Sequence, residues 1–269
     1  MIWIPSMIST IFWYDASDLA TITSSGNQVT QMLDKSGNGF TLTPRAGFVG
    51  PDTGTRTLNG LNVLDYVKTG TSSNVLLENS AFSQAQPFCI AAVMSFDDEG
   101  VTTGDQDFLF SGTDASANRI AVRRTTGDAW QIFSSSGNVN AAGALEGYNY
   151  IPCFYFNSTA STIRVDGSLL NTGSIANNSF THLNVGGNYA GGSNLDGLVG
   201  ELIAFADPND QEIVEGYLAW KWGMQDKLPV DHLYKNNVPS PCNPKFNKHS
   251  HPNECGEKRF RRLRLLGYI

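Results

Sequence analysis

Short apolar or alternating runs, each followed by a cluster of glycine, asparagine, aspartate or serine, recur along most of this chain. Such runs predict β-strands joined by tight turns, because β-branched and aromatic residues favour strands and small polar residues favour turns. Only 16% of the 269 residues are charged, and 27 are glycine. Because this composition is poor in helix formers, we predict an all-β protein built from two packed antiparallel sheets. The predicted strands are 11–14, 63–67, 88–96, 108–110, 120–123, 130–133, 151–156, 162–165, 183–185 and 198–205.

Two of these segments carry further information. The run 88–96, FCIAAVMSF, is apolar at nearly every position and predicts a strand that is covered on both faces. The segment 161–170, STIRVDGSLL, alternates instead, and the dipeptide Asp166-Gly167 divides its two halves. An Asp-Gly pair between alternating runs predicts a tight β-hairpin.

One helix is predicted, over residues 208–222, directly after the last strand. Asp207 suits the N-cap, and Gly223 suits the left-handed position that follows a helix. The apolar residues recur at helical spacing, so the helix is expected to pack against a sheet. That apolar stripe consists of Ile213, Val214, Tyr217, Leu218, Trp220 and Trp222. Glu212 and Glu215 are expected to form the solvated side of the helix.

Several motifs occur in a fixed order along the chain. They are FWYDASDLATIT, LDKSGNGFTLT, LNGLNVLDYV, TIRVDGSLLNTGS, LNVGGNYAGGSNLDGLVGELIAF and EIVEGYLAWKWGMQDKLPVDHLYK. As a set they resemble the concanavalin A-like jelly-roll domains of LamG (laminin G) type that are common in bacteriophage structural proteins and some bacterial surface proteins. The resemblance covers residues 8 to about 235. It implies a jelly-roll sandwich, assigned to 1–235, and the remaining residues, 236–269, are predicted to form an extended basic arm.

The resemblance implies two functions of different classes. The first is a non-enzymatic bacteriophage virion protein, a head decoration or tail component, that is present in many copies and anchored on other virion proteins through its C-terminal arm. The alternative is a carbohydrate-binding or adhesion module that recognises host surface glycans, placed outside the cell or on a bacterial surface. Fold alone does not choose between them, because one fold can host many unrelated functions.

The sequence lacks the usual catalytic motifs. Related sandwich enzymes that cleave β-glucans place carboxylates on alternate positions of one strand, about 5–5.5 Å apart, and this sequence has no Glu-x-Asp. It also has no Gly-x-Ser-x-Gly, His-Glu-x-x-His or Gly-Lys-Ser/Thr motif. We therefore expect no enzymatic activity. No apolar run reaches the ~18–20 residues of a membrane span, so no membrane span is expected.

Sugar recognition requires an aromatic platform beside amides and carboxylates. The glycine-rich loop GGNYAGGSNLDG offers such groups, and neighbouring loops offer aromatic rings. The candidate ligand-binding residues are Trp130, Tyr148, Asn188, Tyr189, Asn194 and Asp196. Two alternatives stay open, because Trp130 begins an apolar strand and is a candidate core residue, and because the glycines also suit a tight turn.

Oxygen ligands of the kind that calcium takes occur in two acidic regions. The first comprises Asp15, Asp18, Asp34 and Asn38, and the second comprises Asp97, Asp98, Glu99, Asp105 and Asp107. The alternative is that Asp and Asn side chains satisfy their own turns and face solvent, since the segment DKSGNG is an Asx-turn sequence and lacks an Asp-x-Asp-x-Asp ladder. Calcium in the sandwich loops is the less favoured of the two hypotheses.

The charge of the chain changes sign near residue 236. Residues 1–235 carry 11 basic and 23 acidic side chains, whereas residues 236–269 carry seven basic and two acidic ones. A basic, apolar arm predicts an anchor on a protein partner through Lys258, Arg259, Phe260, Arg261, Arg262 and Arg264. Nucleic acid is disfavoured as a partner, because the strongly acidic remainder of the chain repels phosphate.

The same arm contains four metal-ligand side chains, namely Cys242, His249, His251 and Cys255. Two thiolates and two imidazoles form a reasonable tetrahedral zinc set. A disulfide between Cys242 and Cys255 and free thiols are the competing hypotheses, and the spacing does not decide among them. Cys89 and Cys153 lie inside apolar runs and are predicted to be packed thiols.

Overall fold

The computed structural model describes residues 3–67, 75–97, 106–112 and 119–240, which form two packed antiparallel sheets. In chain order the strands of these residues are β1 (Thr10–Asp15), β2 (Ile22–Ser25), β3 (Gln28–Met32), β4 (Thr43–Pro44), β5 (Asp52–Leu58), β6 (Leu61–Tyr66), β7 (Leu77–Gln84), β8 (Phe88–Phe96), β9 (Asp107–Ser111), β10 (Ile120–Arg124), β11 (Ala129–Ser134), β12 (Asn138–Ala142), β13 (Asn149–Tyr150), β14 (Pro152–Phe156), β15 (Ser161–Val165), β16 (Ser168–Gly173), β17 (Phe180–Val185) and β18 (Gly197–Phe205). Each of the ten predicted strands is found, and the predicted two-sheet sandwich is confirmed.

The two sheets differ in size. The larger sheet has the order β16-β15-β14-β8-β18-β6-β5-β3-β2, with β1 paired to β18 and β13 paired to β8. The smaller sheet has the order β12-β11-β10-β9-β17-β7-β4. Neighbouring strands are often distant in sequence, as expected for a jelly-roll sandwich. The Asp166-Gly167 hairpin forms as predicted between β15 and β16, with positive φ angles of 51° and 81°.

The main core lies between the sheets and is dominated by aromatic rings. Phe82, for example, meets Phe12 edge to face at 5.4 Å between centroids and Phe180 at 6.0 Å. Such edge-to-face pairs are favourable because the positive edge of one ring meets the negative face of the next. Trp130 and Phe110 are also buried in this core.

A second core lies on the outer face of the larger sheet, beneath the helix. Strand β8 is buried along its whole length, which confirms that both of its faces are covered. Cys89 and Cys153 are free, buried thiols in this layer, and burial raises the pKa of both. Because the helix covers only the larger sheet, the outer face of the smaller sheet has no helix of the described residues packed on it.

The helix begins with a 3-10 turn, Pro208–Asp210, and continues as α1 (Gln211–Lys221). The Asp207 carboxylate accepts a hydrogen bond from the Asn209 N–H at 2.9 Å, and Gly223 follows with a φ of 65°. Both predicted caps are therefore present. Among the described residues, no helix combines the length and the apolar character needed to cross a bilayer.

The prediction that Glu215 faces solvent is wrong. Its side chain is 0% exposed and accepts a hydrogen bond from the Arg164 guanidinium at 2.7 Å, while the His232 ring lies 3.4 Å away. The segment after α1 folds back over the helix and closes this side of it, with Tyr234 packed against Gly216. Residues after the predicted boundary at 235 also contact the sandwich. The Pro239 carbonyl oxygen accepts a hydrogen bond from the Trp3 N–H at 3.1 Å.

A close approach between sheet and helix gives a test of this packing. A Cβ atom on Gly200 of β18 would lie 2.8 Å from the Trp222 ring, which is 0% exposed and cannot easily move. We expect Gly200→Ala to lower the free energy of unfolding by about 1–3 kcal/mol through overpacking, as measured by urea denaturation. Gly127→Ala is the matched control, because nothing lies within 4 Å of its added Cβ. Equal stability of the two variants would contradict the packing described.

Candidate functional site

The outer face of the smaller sheet carries a group of polar and aromatic side chains. In β10 and β11 the inward residues, such as Ile132 and Val122, belong to the core. Residues directly opposite on neighbouring strands share a face, and Ala121 pairs with Phe133 while Arg123 pairs with Gln131. Alternation therefore places these side chains outside. We use the name sheet-face cluster for Arg119, Arg123, Gln131, Phe133, Asn140 and Tyr189.

Aromatic rings and guanidinium groups are stacked within the sheet-face cluster. The Arg119 Cζ lies 4.7 Å from the centroid of the Phe133 ring and 4.6 Å from that of Tyr189. The Arg123 Cζ lies 4.6 Å from the Phe133 centroid. Cation–π contacts at these distances hold a planar guanidinium in one orientation. Burial and the like charge of Arg119 lower the pKa of Arg123 from its usual value.

A ladder of hydrogen bonds runs across the strands beside this stack. The Arg123 Nε donates to Gln131 Oε1 at 2.6 Å, and Gln131 Nε2 donates to Asn140 Oδ1 at 2.6 Å. Asn171 of the neighbouring sheet edge donates to the Asn140 carbonyl oxygen at 2.6 Å. Because each member is held by the next, amide and guanidinium groups are fixed in place on a rigid sheet.

The glycine-rich loop that carries Tyr189 is held from several sides. The Asn188 Oδ1 accepts hydrogen bonds from the N–H groups of Ala190 at 2.8 Å and Gly192 at 3.0 Å. Arg45 donates to the Tyr189 carbonyl oxygen at 2.7 Å. A Cβ on Gly191 would lie 2.0 Å from the Phe48 ring, so a glycine is required at this point. The loop therefore presents Tyr189 to Arg119 in a defined position.

The network beneath this loop is charged. Arg45 Nε contacts Glu78 Oε2 at 2.6 Å, and the His182 ring lies 2.9 Å from the same oxygen. Burial by itself raises the pKa of Glu78, but the hydrogen bonds from Arg45 and His182 outweigh it, and the pKa lies below its usual value. The carboxylate thus stays ionised and holds Arg45 against the loop.

The six predicted ligand-binding residues do not come together. Trp130 is 0% exposed and packs in the core with its centroid 5.2 Å from that of Tyr150, so it offers no face to a ligand. Asn194 is also buried, and its amide donates to the Val75 carbonyl oxygen at 2.9 Å, which fixes the loop. The expectation of ligand contact is therefore corrected for these two residues, since burial removes them from the surface.

The remaining predicted residues fall into two groups. Tyr148 is 55% exposed and lies two residues after Glu146, which contacts Arg124 at the end of β10 opposite Arg119. Asp196 is half-buried, and its carbonyl oxygen accepts the Asp97 N–H at 3.0 Å. Of the six, Tyr189 belongs to the sheet-face cluster, and Asn188 shapes the turn that carries it.

The acidic groups proposed for calcium contact protein donors. Asp15 lies 2.8 Å from Lys35 Nζ and 2.6 Å from Lys221 Nζ, and Asp18 lies 2.7 Å from Lys35 Nζ. Burial raises the pKa of Asp15, yet the two lysines more than offset it and leave the pKa below its usual value. Asp34 accepts the Trp13 N–H at 2.9 Å. In the described part of the chain, no group of three or more His, Cys, Asp or Glu side chains is suited to a metal ion.

The second acidic region is only partly described. Asp97 pairs with Arg56, and Asp107 lies 2.9 Å from Arg124 Nη1. Asp98, Glu99 and Asp105 lie outside the described residues. So do the proposed zinc or disulfide set (Cys242, His249, His251, Cys255) and the proposed anchor (Lys258, Arg259, Phe260, Arg261, Arg262, Arg264).

Two buried carboxylates face each other across β1 and β18, as paired residues of these strands. Asp15 pairs with Glu201, and both contact the ammonium group of Lys221. Glu201 is 0% exposed and also accepts hydrogen bonds from the indole N–H groups of Trp13 and Trp222. Because the helix covers the pair and a lysine lies between the two groups, this arrangement suits a structural clamp rather than an acid and nucleophile acting on a substrate.

No protein-family model matches this chain, and no curated protein matches it in sequence. Solved structures match in fold. Trypanosoma rangeli sialidase matches with a TM-score of 0.52 at 13% identity, over 79% of this chain and 33% of the sialidase. Botulinum neurotoxin type C, whose cell entry is dependent upon interaction with two ganglioside molecules, matches with a TM-score of 0.53 at 11% identity. The match covers 78% of this chain and 51% of that chain.

A third structure matches over nearly its full length. It is domain 4 of AbnA, a GH43 extracellular arabinanase from Geobacillus stearothermophilus, in complex with arabinotriose. Its TM-score is 0.51 at 12% identity, over 74% of this chain and 92% of that domain. By contrast, this chain spans about a third of the sialidase and about half of the neurotoxin chain. At these identities the comparisons establish one shared property, the β-sandwich fold.

Proposed function

We propose that this chain is a carbohydrate-binding β-sandwich module that acts without catalysis, and that the sheet-face cluster is its sugar-binding surface. The observation that carries the proposal is the stack of Tyr189, Arg119 and Phe133 beside the Gln131–Asn140 amide ladder. Sugars combine apolar C–H faces with rings of hydroxyl groups, so an aromatic ring beside fixed amides complements them. The rigid sheet keeps both types of group in place without a large loss of entropy on binding.

The compared structures support the same proposal. Domain 4 of the arabinanase AbnA is solved with arabinotriose, and botulinum neurotoxin type C interacts with gangliosides. Both share the fold of this chain, and they favour glycan recognition over the virion role that the sequence resemblance implies. A glycan partner is consistent with a place outside the cell, and the anchoring role of residues 236–269 remains a prediction that truncation of the arm would test.

The proposal is tested by replacing the aromatic platform. We expect the full chain to bind members of a glycan array that includes arabinotriose, and Tyr189→Ala to weaken the strongest interaction about tenfold in isothermal titration calorimetry. Loss of an aromatic contact of about 1.5 kcal/mol corresponds to that factor. Tyr148→Ala is the matched control, because this exposed tyrosine lies near the opposite end of β10.

Two results would contradict the proposal. One is the absence of binding to every sugar on the array. The other is loss of binding in Tyr148→Ala together with full binding in Tyr189→Ala, which would place the site at the other end of the strand. Circular dichroism of both variants checks that the sandwich is still folded.

A further inference from the structure

The two arginines of the sheet-face cluster differ from the other arginines that the structure describes. Each of the others contacts a carboxylate: Arg45 contacts Glu78, Arg56 contacts Asp65 and Asp97, Arg124 contacts Asp107, Asp128 and Glu146, and Arg164 contacts Glu215. Arg119 and Arg123 form no ion pair with any described carboxylate, although the protein is acidic overall, with a net charge of −7. Their charges are instead placed side by side, against the rings of Phe133 and Tyr189.

Placing two like charges together in a half-buried position is unfavourable, since each raises the cost of charging the other. Burial and the neighbouring Arg119 lower the pKa of Arg123, consistent with that cost. Both side chains are partly exposed, so an anionic ligand that supplies oxygen atoms to their outer N–H groups offsets this repulsion.

We propose that the sheet-face cluster selects acidic sugars, with the sugar carboxylate received by the guanidinium groups of Arg119 and Arg123. The inference rests on the proposed function and specifies the ligand class for the same surface. A planar carboxylate matches the fork of N–H donors on arginine, and the exposed Asn140 amide, held by Gln131, is placed for ring hydroxyls. Tyr189 contributes the apolar contact to the sugar ring.

The negative net charge of the protein affects the binding of an anionic sugar. Residues 1–235 carry 11 basic and 23 acidic side chains, so an anion is not attracted from a distance. Screening reduces these long-range terms beyond ~8–10 Å at ordinary ionic strength, whereas direct contacts to a half-buried guanidinium are screened less. Selectivity therefore comes from contact between the carboxylate and the arginine fork, and we expect only a weak effect of added salt.

The test compares sugars that differ in charge alone. Isothermal titration calorimetry of the full chain is carried out with trigalacturonic acid and its methyl ester, and with 3′-sialyllactose and its methyl ester. These two pairs separate a uronic acid from a sialic acid as the source of the carboxylate. We expect at least one acidic member to bind tenfold or more tightly than its neutral counterpart. Equal binding within both pairs would overturn the inference while leaving the proposed function intact.

Variants of Arg119 test the role of its planar guanidinium group in binding the sugar carboxylate. Arg119→Gln is expected to remove the preference for the acidic member, and Arg119→Lys to recover only part of it, because lysine keeps the charge but lacks the planar fork. Lys227→Gln is the matched control, since it removes one exposed positive charge on the helix side. Full preference in Arg119→Gln would overturn the inference. If that variant does not fold, Arg123→Gln replaces it. The comparison of acidic and neutral sugars on the unaltered protein tests the inference in either case.

Failure of the inference is distinguishable from failure of the proposed function. Binding of neutral sugars that depends on Tyr189, without preference for the acidic member, would retain a carbohydrate-binding surface and reject the acidic class. Binding of a heparin oligosaccharide with no binding of either carboxylated sugar would also reject it, in favour of sulfate. Binding of no sugar, neutral or acidic, would reject both proposals.

Discussion

Glu201→Ala is expected to lower the free energy of unfolding by about 3–5 kcal/mol, because it leaves buried cationic and polar groups without their shared acceptor. The Glu201 carboxylate accepts hydrogen bonds from Trp13 Nε1 at 2.6 Å, Trp222 Nε1 at 2.8 Å and Lys221 Nζ at 2.7 Å. It also accepts the Tyr217 hydroxyl at 3.0 Å. These donors come from β1 and from the helix end, so this one side chain on β18 joins three elements.

Urea denaturation followed by far-ultraviolet circular dichroism measures this effect, since two tryptophans lie in the cluster and their fluorescence would change locally. Glu201→Gln is expected to cost less, about 1–3 kcal/mol, because the amide keeps the shape and one acceptor oxygen. Glu212→Ala is the control, on the helix α1 that supplies the Tyr217 and Lys221 donors, with an expected change within about 0.5 kcal/mol. A cost below about 1 kcal/mol for Glu201→Ala would contradict the clamp.

Arg124→Met is expected to lower the free energy of unfolding by about 3–5 kcal/mol as well, because it removes the charge that compensates the buried carboxylate of Asp107 at one end of the sandwich. The guanidinium contacts Asp107 at 2.9 Å, Asp128 at 2.6 Å and Glu146 at 2.5 Å. Asp107 is 1% exposed in its side chain, so water cannot replace the lost partner. Methionine retains the apolar stem of the side chain.

The matched control for this prediction is Asp128→Asn. The Asp128 side chain touches the same guanidinium but is 48% exposed, so its loss is expected to cost about 0–1 kcal/mol. Thermal and urea denaturation of the two variants should therefore differ clearly. Similar stabilities would mean that Arg124 acts as an ordinary surface ion pair rather than as a junction between β9, β10 and the loop before β13.

The strands that the sequence predicts are those with consecutive apolar residues, and the missed ones are polar. Strand β8 buries every residue and is recovered with its full bounds, whereas β5 and β7 alternate weakly, β12 has only five residues, and all three expose several side chains. Their strand character comes from pairing with neighbours rather than from their own propensity. Local pattern therefore identifies the central strands and omits several outer ones.

The errors at individual residues have a common cause, which is the tertiary cover of one element by another. Glu215 looked solvated from helical spacing, yet Arg164 and the segment that ends at Tyr234 enclose it. Trp130 looked available near a loop, yet alternation in β11 directs it into the core with Ile132. The same alternation directs Gln131 and Phe133 outward, and this was the signal that could have found the sheet-face cluster.

The remainder of the site could not be read from the sequence. Arg119, Phe133 and Tyr189 come from three separate segments, and their contacts depend on the loop after β17 placing Tyr189 against Arg119, directly before β10. The helix covers the outer face of the larger sheet and leaves that of the smaller sheet free. The sequence does not predict which sheet the helix covers, because the strands of both sheets carry polar residues. Spacing within one segment cannot supply either fact.

Hydrogen–deuterium exchange of the full chain, with and without the tightest sugar from the glycan array, tests the central claim most directly. Carbohydrate binding at the sheet-face cluster predicts slower exchange in β10, in β11 and in the loop that carries Tyr189, with the helix α1 unchanged. Protection confined to the loop of Tyr148 or to the helix side, with β10 and β11 unaffected, would contradict the account.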